Sequence, residues 1–242
     1  MIIDSYSFSD KGGREENQDS IIAEVHDKNG IFVVADGLGG HRGGRAAAEC
    51  VSSVICETWK SKIPEEAECN EEWMNKAFEA ANDGVMQLQL TEACQMRSTA
   101  AVLLISGNTA VWANAGDSRV YKIHHGKLES VTEDHSVAYR KFKAGEISKE
   151  QIASDEDQSH LLKDLGNEDR WRPAVYSGSA EPGDCFLLCS DGLWEYVYDT
   201  EILVDSLKSF SARGWARLLL LRAIERVRPG NDNLSLITVM IK

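Results

Sequence analysis

The stretch Thr99-Ala100-Ala101-Val102-Leu103-Leu104-Ile105-Ser106-Gly107-Asn108-Thr109-Ala110-Val111-Trp112-Ala113-Asn114-Ala115-Gly116 is the longest uncharged segment of the chain, and two readings compete for it. A membrane span needs about 20 mostly apolar residues in a row. Here Ser106, Gly107, Asn108, Thr109 and Asn114 interrupt the run. The Ser-Gly-Asn group is turn chemistry, so the segment reads as two short strands, Ala100 to Ile105 and Thr109 to Ala113, folded into a hairpin. The chain then repeats the device. Arg119-Val120-Tyr121-Lys122-Ile123 pairs through His124-His125-Gly126-Lys127 with Leu128 to Thr132. Strands joined by hairpins rather than by crossover helices predict antiparallel sheets with helices outside, not a doubly wound parallel sheet.

Outward from this centre, Ile31-Phe32-Val33-Val34-Ala35 is a short β-branched run ended by Asp36-Gly37, which predicts a buried strand and a turn. Cys185 to Cys189 and Leu234 to Ile241 are two further strands, the last with an alternation of Leu234, Leu236, Thr238 and Met240. Helical spacing places Ala47, Val51, Val54, Ile55 and Trp59 on one face between Gly44 and Lys62. Met74, Ala77, Phe78, Ala81, Val85 and Leu88 make a second stripe, and Ala212 to Val227 a third, capped by Ser211 and stopped by Pro229-Gly230. Between Asp134 and Glu168 charges dominate, with a helix start at Ser148 and Gln151. This predicts an excursion over the sheet ends, either a lid or binding loop or a solvated decoration.

The chain has 242 residues, with 26 Lys and Arg against 39 Asp and Glu for a net charge of −13. A length of this order suits one domain or two small ones, and four prolines with no linker or repeat favour one, spanning 1–242. The 43% hydrophobic and 27% charged composition is that of a globular protein. An acidic surface argues against nucleic acid and against anionic membranes, both of which need dense Lys and Arg. No secretory signal is visible at Met1-Ile2-Ile3-Asp4, and cytoplasmic location is expected. The six cysteines lack Cys-x-x-Cys spacing, so burial as small hydrophobes is expected, with Cys185 and Cys189 in the core.

Chemistry collects at the strand ends. Asp36 opens Asp-Gly-Leu-Gly-Gly, Asp191 opens Asp-Gly-Leu-Trp, Asp117 sits in Ala-Gly-Asp-Ser-Arg and Asp232 in Asn-Asp-Asn. Any one Asp-Gly is also an ordinary turn pair. Several carboxylates gathered at one end of a sheet resist ionisation unless cations are present, and oxygen donors without a His or Cys cluster select Mg²⁺, Mn²⁺ or Ca²⁺. Arg14-Glu15-Glu16-Asn17-Gln18-Asp19 adds an acid and an arginine. A guanidinium beside such a cluster matches two phosphate oxygens, although a lone Arg is often just a surface ion-pair partner.

The ordered set Arg14-x-x-Asn17-Gln18-Asp19, Asp36-Gly37-Leu38-Gly39-Gly40-His41, Ser98-Thr99-Ala100, Ala115-Gly116-Asp117-Ser118-Arg119, Thr132-Glu133-Asp134-His135-Ser136, Ser190-Asp191-Gly192-Leu193-Trp194 and Asn231-Asp232-Asn233 resembles the metal-dependent Ser/Thr protein phosphatases of type 2C in their compact bacterial form. The resemblance runs from about residue 5 to the end. It implies an α+β fold, a four-layer α-β-β-α sandwich of two antiparallel sheets flanked by helix pairs. It implies two Mg²⁺ or Mn²⁺ ions, or three. Asp36 would bridge two of them, the Gly37 carbonyl would bind one, and Asp191 and Asp232 would bind the other. Asp19 would hold metal-bound waters, Asp117 with Asp191 would serve a third ion, and Arg14 would bind the substrate phosphate. Residues 134–168 would be a flap. A hydroxide bridging the ions would attack phosphorus in line, releasing Ser or Thr from a phosphoprotein and opposing a Ser/Thr kinase. A monomer is expected.

The resemblance leaves points open. His41 is either a general acid or phosphate contact, or a loop His at the start of a helix. Arg97 stands where the family usually has Gly, and Leu161 to Gly166 follows the family pattern only loosely, which bears on substrate preference. Two other classes compete: a non-catalytic phosphopeptide-binding module, against which the complete set Asp36, Asp191 and Asp232 speaks, and a phosphoesterase acting on small molecules.

Overall fold

A computed structural model describes residues 1–39, 43–65, 68–168 and 172–242. Its eleven described strands are β1 (Ile3–Asp10), β2 (Asp19–His26), β3 (Asn29–Leu38), β4 (Arg97–Ser98), β5 (Ala100–Ser106), β6 (Thr109–Ala115), β7 (Arg119–His124), β8 (Lys127–Val131), β9 (Val175–Ser179), β10 (Cys185–Cys189) and β11 (Leu234–Ile241). The helices are α1 (Gly43–Ser61), α2 (Glu71–Glu92), α3 (Val137–Lys143), α4 (Asp191–Trp194), α5 (Asp199–Leu207) and α6 (Ala212–Arg226), with a 3₁₀ turn over Lys149–Ser154.

Every pairing is antiparallel. One sheet runs β1-β11-β10-β7-β8 and the other β2-β3-β5-β6-β9, with β4 added to the end of β3. The hairpin expected from residues 99–116 is present, Ala100 opposite Ala115 and Ser106 opposite Thr109. α1 and α2 cover the outer face of the second sheet through Ala47, Val51, Ile55, Trp59, Met74 and Phe78. α5 and α6 cover the first through Ile202, Trp215, Ala216 and Leu219. Between the sheets lies a third apolar layer built on Phe32, Leu103, Trp112, Phe186, Ile237 and Val239. This is the expected four-layer sandwich.

Three points of the structure extend or correct the expectations. First, in β11 the alternating Leu234, Leu236 and Met240 pack toward the helices as expected, while Ile237, Val239 and Ile241 pack between the sheets. A strand in an inner layer is buried on both faces, so its intervening positions are apolar as well. Second, Cys94 is exposed and Cys50 only partly buried, unlike Cys56, Cys69, Cys185 and Cys189. Cys94 lies just beyond the end of α2, where the chain turns at the left-handed residue Ala93 before reaching the sheet. Third, the start at Ser148 opens a 3₁₀ turn, with the predicted Ser148–Gln151 capping box present. The excursion that contains it is bolted down, because Ile152 is in the core, Ser136 bridges Leu161 and Leu165 bridges Ser98.

Candidate metal centre

The ends of β2, β3, β6 and β10, together with the loop before β11, open on one cleft of about 660 Å³ lined by Arg14, Asp36, Gly37, Asp117, Asp191, Glu195 and Asp232 among others. A larger hollow, about 830 Å³, runs along α2 beside Asn75 and Asn82, but its described lining is α2 with Asn70, Leu165 and Arg172, and no strand ends converge there. Volume does not choose the site; converging carboxylates do.

Each ligand candidate is held by backbone. Asp19 and Asp36 stand directly opposite each other on β2 and β3. The backbone of Asp36 is clamped by the Ser98-Thr99 pair: its N–H donates to Thr99 Oγ1 at 3.0 Å, and its carbonyl accepts from Thr99 N at 2.8 Å and Ser98 Oγ at 3.0 Å. Thr99 in turn meets Ser118 at 2.7 Å, tying the Asp117 loop to the same clamp. Ser190, just before Asp191, donates to Asp19 Oδ2 at 2.9 Å. Asn233 sews the loops together, accepting from Gln18 N at 2.8 Å and donating to the Lys11 and Glu16 carbonyls, both at 2.9 Å. Two glycines are dictated by close approach. A Cβ on Gly37 would sit 2.0 Å from the Gly44 carbonyl oxygen at the start of α1, and one on Gly192 would sit 2.0 Å from the Asn233 carbonyl oxygen. No side chain fits between these ligand loops.

The electrostatics follow from this crowding. Burial, then Asp19 and Asp191, pushes the Asp36 carboxyl well above the usual carboxylate range. Burial, then Asp117 and Glu195, does the same to Asp191. Asp117 rises to about 7, through burial and then Asp134, and Asp19 to about 6, chiefly through burial. Such mutual repulsion is what a divalent cation relieves. Asp19 Oδ1 and Asp191 Oδ1 are buried with no hydrogen-bond partner, so oxygen lone pairs are left to spend. The donors are hard oxygens, suited to Mg²⁺ or Mn²⁺. On these observations the residues fit such ions.

Two sequence expectations look different in space. Arg14 does not stand alone: its Nε and Nη2 donate to the two oxygens of Asp232 at 3.1 and 2.7 Å, so the expected phosphate binder and an expected cation ligand hold each other. Among the described residues no three acidic, His or Cys side chains close around one point, and Asp232 is engaged by Arg14. His41 lies outside the described residues. Arg97, the departure from the family pattern, pairs with Asp164 at 3.2 Å, beside the Ser98–Leu165 bridge. Sequence reasoning missed Glu195, which lines the cleft and is raised to about 7 by burial and then Asp232. Its signal was the spacing of four from Asp191 on a helical turn.

Comparison with known proteins points the same way. The family model described as Protein phosphatase 2C matches residues 11–219. The serine/threonine phosphatase stp of Listeria welshimeri is 32% identical over 232 residues, covering 93% of this chain and 90% of that protein. The crystal structure of the Mycobacterium tuberculosis serine/threonine phosphatase PstP/Ppp is similar with a TM-score of 0.87, 27% identity and 100% of each chain covered. A structure of the catalytic domain of PstP in complex with two manganese ions gives a TM-score of 0.85 at 26% identity, covering 98% of this chain and 97% of that one.

Proposed function

This chain belongs to the protein phosphatase 2C family, and from that premise we propose that it hydrolyses phosphoserine and phosphothreonine on proteins with Mg²⁺ or Mn²⁺ held in the acidic cleft. The observation that carries the proposal is the convergence of Asp36, Asp117, Asp191 and Asp232 from separate strand ends and loops on one cleft, with Asp19 opposite Asp36 behind them and Arg14 at the lip. Asp36, the Gly37 carbonyl, Asp191 and Asp232 would hold two ions, Asp19 would act from behind them, and Asp117 with Asp191 would serve a third. Bound there, the ions supply Lewis acidity and lower the pKa of water in the site.

The chain's own residues do the rest. The exposed Arg14 guanidinium presents a planar fork that fits two phosphate oxygens once Asp232 is otherwise engaged, and so orients the phosphoryl group over the carboxylates. Asp36 and Asp191 stay fixed while charge builds on the phosphoryl oxygens, because their backbones cannot shift against the packed glycines. His41 is assigned the proton for the departing Ser or Thr oxygen. The whole chain would act as one catalytic domain with residues 134–168 as a flap at the cleft edge, from which Gln158, Ser159 and Leu161 line the site. A phosphomonoester on Ser or Thr is the product of a protein kinase, so the enzyme would oppose one, working as a cytoplasmic monomer.

Hydrolysis of a phosphothreonine peptide should require added Mn²⁺ or Mg²⁺ and stop with EDTA. In Asp191→Asn it should fall by about 10²–10³-fold, the scale of losing one preorganised electrostatic group. Metal-independent turnover, or an inactive wild-type protein, would sink the proposal.

A further inference from the structure

Behind the acid cluster stands a buried cation that the proposed chemistry does not use. Arg119, 6% exposed, donates through Nε and Nη2 to the two oxygens of Asp134, itself 4% exposed, at 2.7 and 2.6 Å. Its third arm reaches Tyr121 Oη at 3.3 Å. The guanidinium carbon lies 3.6 Å from the centroid of the Trp194 ring, and the Trp194 indole N–H donates to the carbonyl oxygen of Asp117 at 2.9 Å. Trp194 ends α4, the short helix that Asp191 begins. Asn114 Nδ2 lies within reach of the Gly116, Ser118 and Glu133 carbonyls at 3.2, 3.3 and 3.0 Å, and His135 N–H donates to the Gly116 carbonyl at 2.9 Å.

We infer that Arg119, braced by Asp134, and Trp194 form a strut that sets the Asp117 loop at a fixed distance from Asp191, and that they are positioning residues for the cation those two carboxylates share. A buried ion pair is an expensive way to fill space, since apolar residues of the same volume are often as stable or more so. What the pair adds is directed geometry. The planar fork fixes the guanidinium against Asp134, the stack fixes Trp194 against the guanidinium, and the indole N–H fixes the Asp117 backbone. Each joint is directional, so a shift of the Asp117 loop away from α4 must break one of them. Lysine has neither the fork nor the flat face.

This inference rests on the proposed role of Asp117 and Asp191 as cation ligands. Mn²⁺ binding to the full-length protein, followed by electron paramagnetic resonance and calorimetry, tests it in wild type, Trp194→Phe and Arg119→Lys. Trp194→Phe keeps an aromatic ring over the guanidinium and removes the one hydrogen bond, so it keeps the test sound where Arg119→Lys fails to fold. In Trp194→Phe the weakest Mn²⁺ class should lose about tenfold in affinity, the scale seen when a group orienting a metal ligand is removed. The tighter class should be unchanged, and turnover should recover at high Mn²⁺. A wild-type protein that binds Mn²⁺ beside a Trp194→Phe protein with the same affinities overturns the strut alone. A wild-type protein that takes up no Mn²⁺ overturns the functional proposal and the strut with it.

Discussion

Arg14 and Asp232 hold each other at the lip of the cleft with side chains 55% and 36% exposed, and a pair so open to water contributes only ~0.2–1 kcal/mol. It is therefore displaceable. A divalent cation taking Asp232 would free the guanidinium for phosphate, so one contact links the two jobs the sequence assigned separately. Arg14→Ala should let Mn²⁺ bind tighter by up to about fivefold, the fold-change equivalent of ~1 kcal/mol, while KM for a phosphopeptide rises. Calorimetry with Mn²⁺ and steady-state kinetics check both arms; unchanged Mn²⁺ affinity together with unchanged KM would refute the competition. The five aspartates were legible in the sequence because each is flanked by Gly, Ser or Asn at the end of an apolar run. Arg119 was not, since its partner Asp134 is 15 residues away and a charged residue on a strand ordinarily faces water. Nor was the Arg14–Asp232 contact, which joins residues 218 apart.

Among the elements, the legible ones were those with one dominant period: the hairpins of β5 to β8 and the stripes of α1, α2 and α6. β1 and β9 escaped because serines and Gly178 dilute their apolar pattern, and α5 because Val204 and Leu207 face outward and blur its stripe. Besides the buried Ile202, α5 has an ionic anchor. Glu201 accepts from both terminal nitrogens of Arg226 at 2.6 Å and from Arg222 at 2.9 Å, which fastens α5 to α6. The Arg226 hydrogen bonds in particular lower the Glu201 carboxyl from its ordinary 4.5 to about 2. The folded state thus binds the proton more weakly than the unfolded chain. The stabilisation is fully present above pH 4.5 and is lost as the pH falls through about 2. Urea midpoints of wild type and Glu201→Gln should differ by a constant amount from neutral pH down to about pH 5 and converge below it. A gap of the same size at pH 3 would contradict the assignment.

For the molecule as a whole, layer order was legible because hairpins exclude crossover helices, whereas the double burial of β11 was hidden, since a strand's own sequence does not say how many layers surround it. The net charge of −13 sharpens in the same way. Asp19, Asp36, Asp117, Asp191, Glu195 and Asp232 are concentrated around the cleft, and their charge is what bound cations would offset. Asp134, Asp164, Asp184 and Asp205 are buried, and most of the remaining acids face solvent, where they bias the approach of any charged substrate. That bias acts over a Debye length, about 10 Å at 0.1 M salt and about 30 Å at 0.01 M, so it belongs to encounter rather than to contact in the cleft. At saturating Mn²⁺ and low salt, phosphopeptides flanked by Lys and Arg should show kcat/KM several-fold above the same phosphosite flanked by Asp and Glu, within the roughly 10–10³-fold range of electrostatic steering. Raising the salt to about 0.5 M should collapse the difference, while kcat, set after encounter, stays level. A preference that survives high salt would place the discrimination in specific contacts at the cleft rim, with Gln158 and Ser159 the first residues to exchange, and would remove the long-range field as its cause.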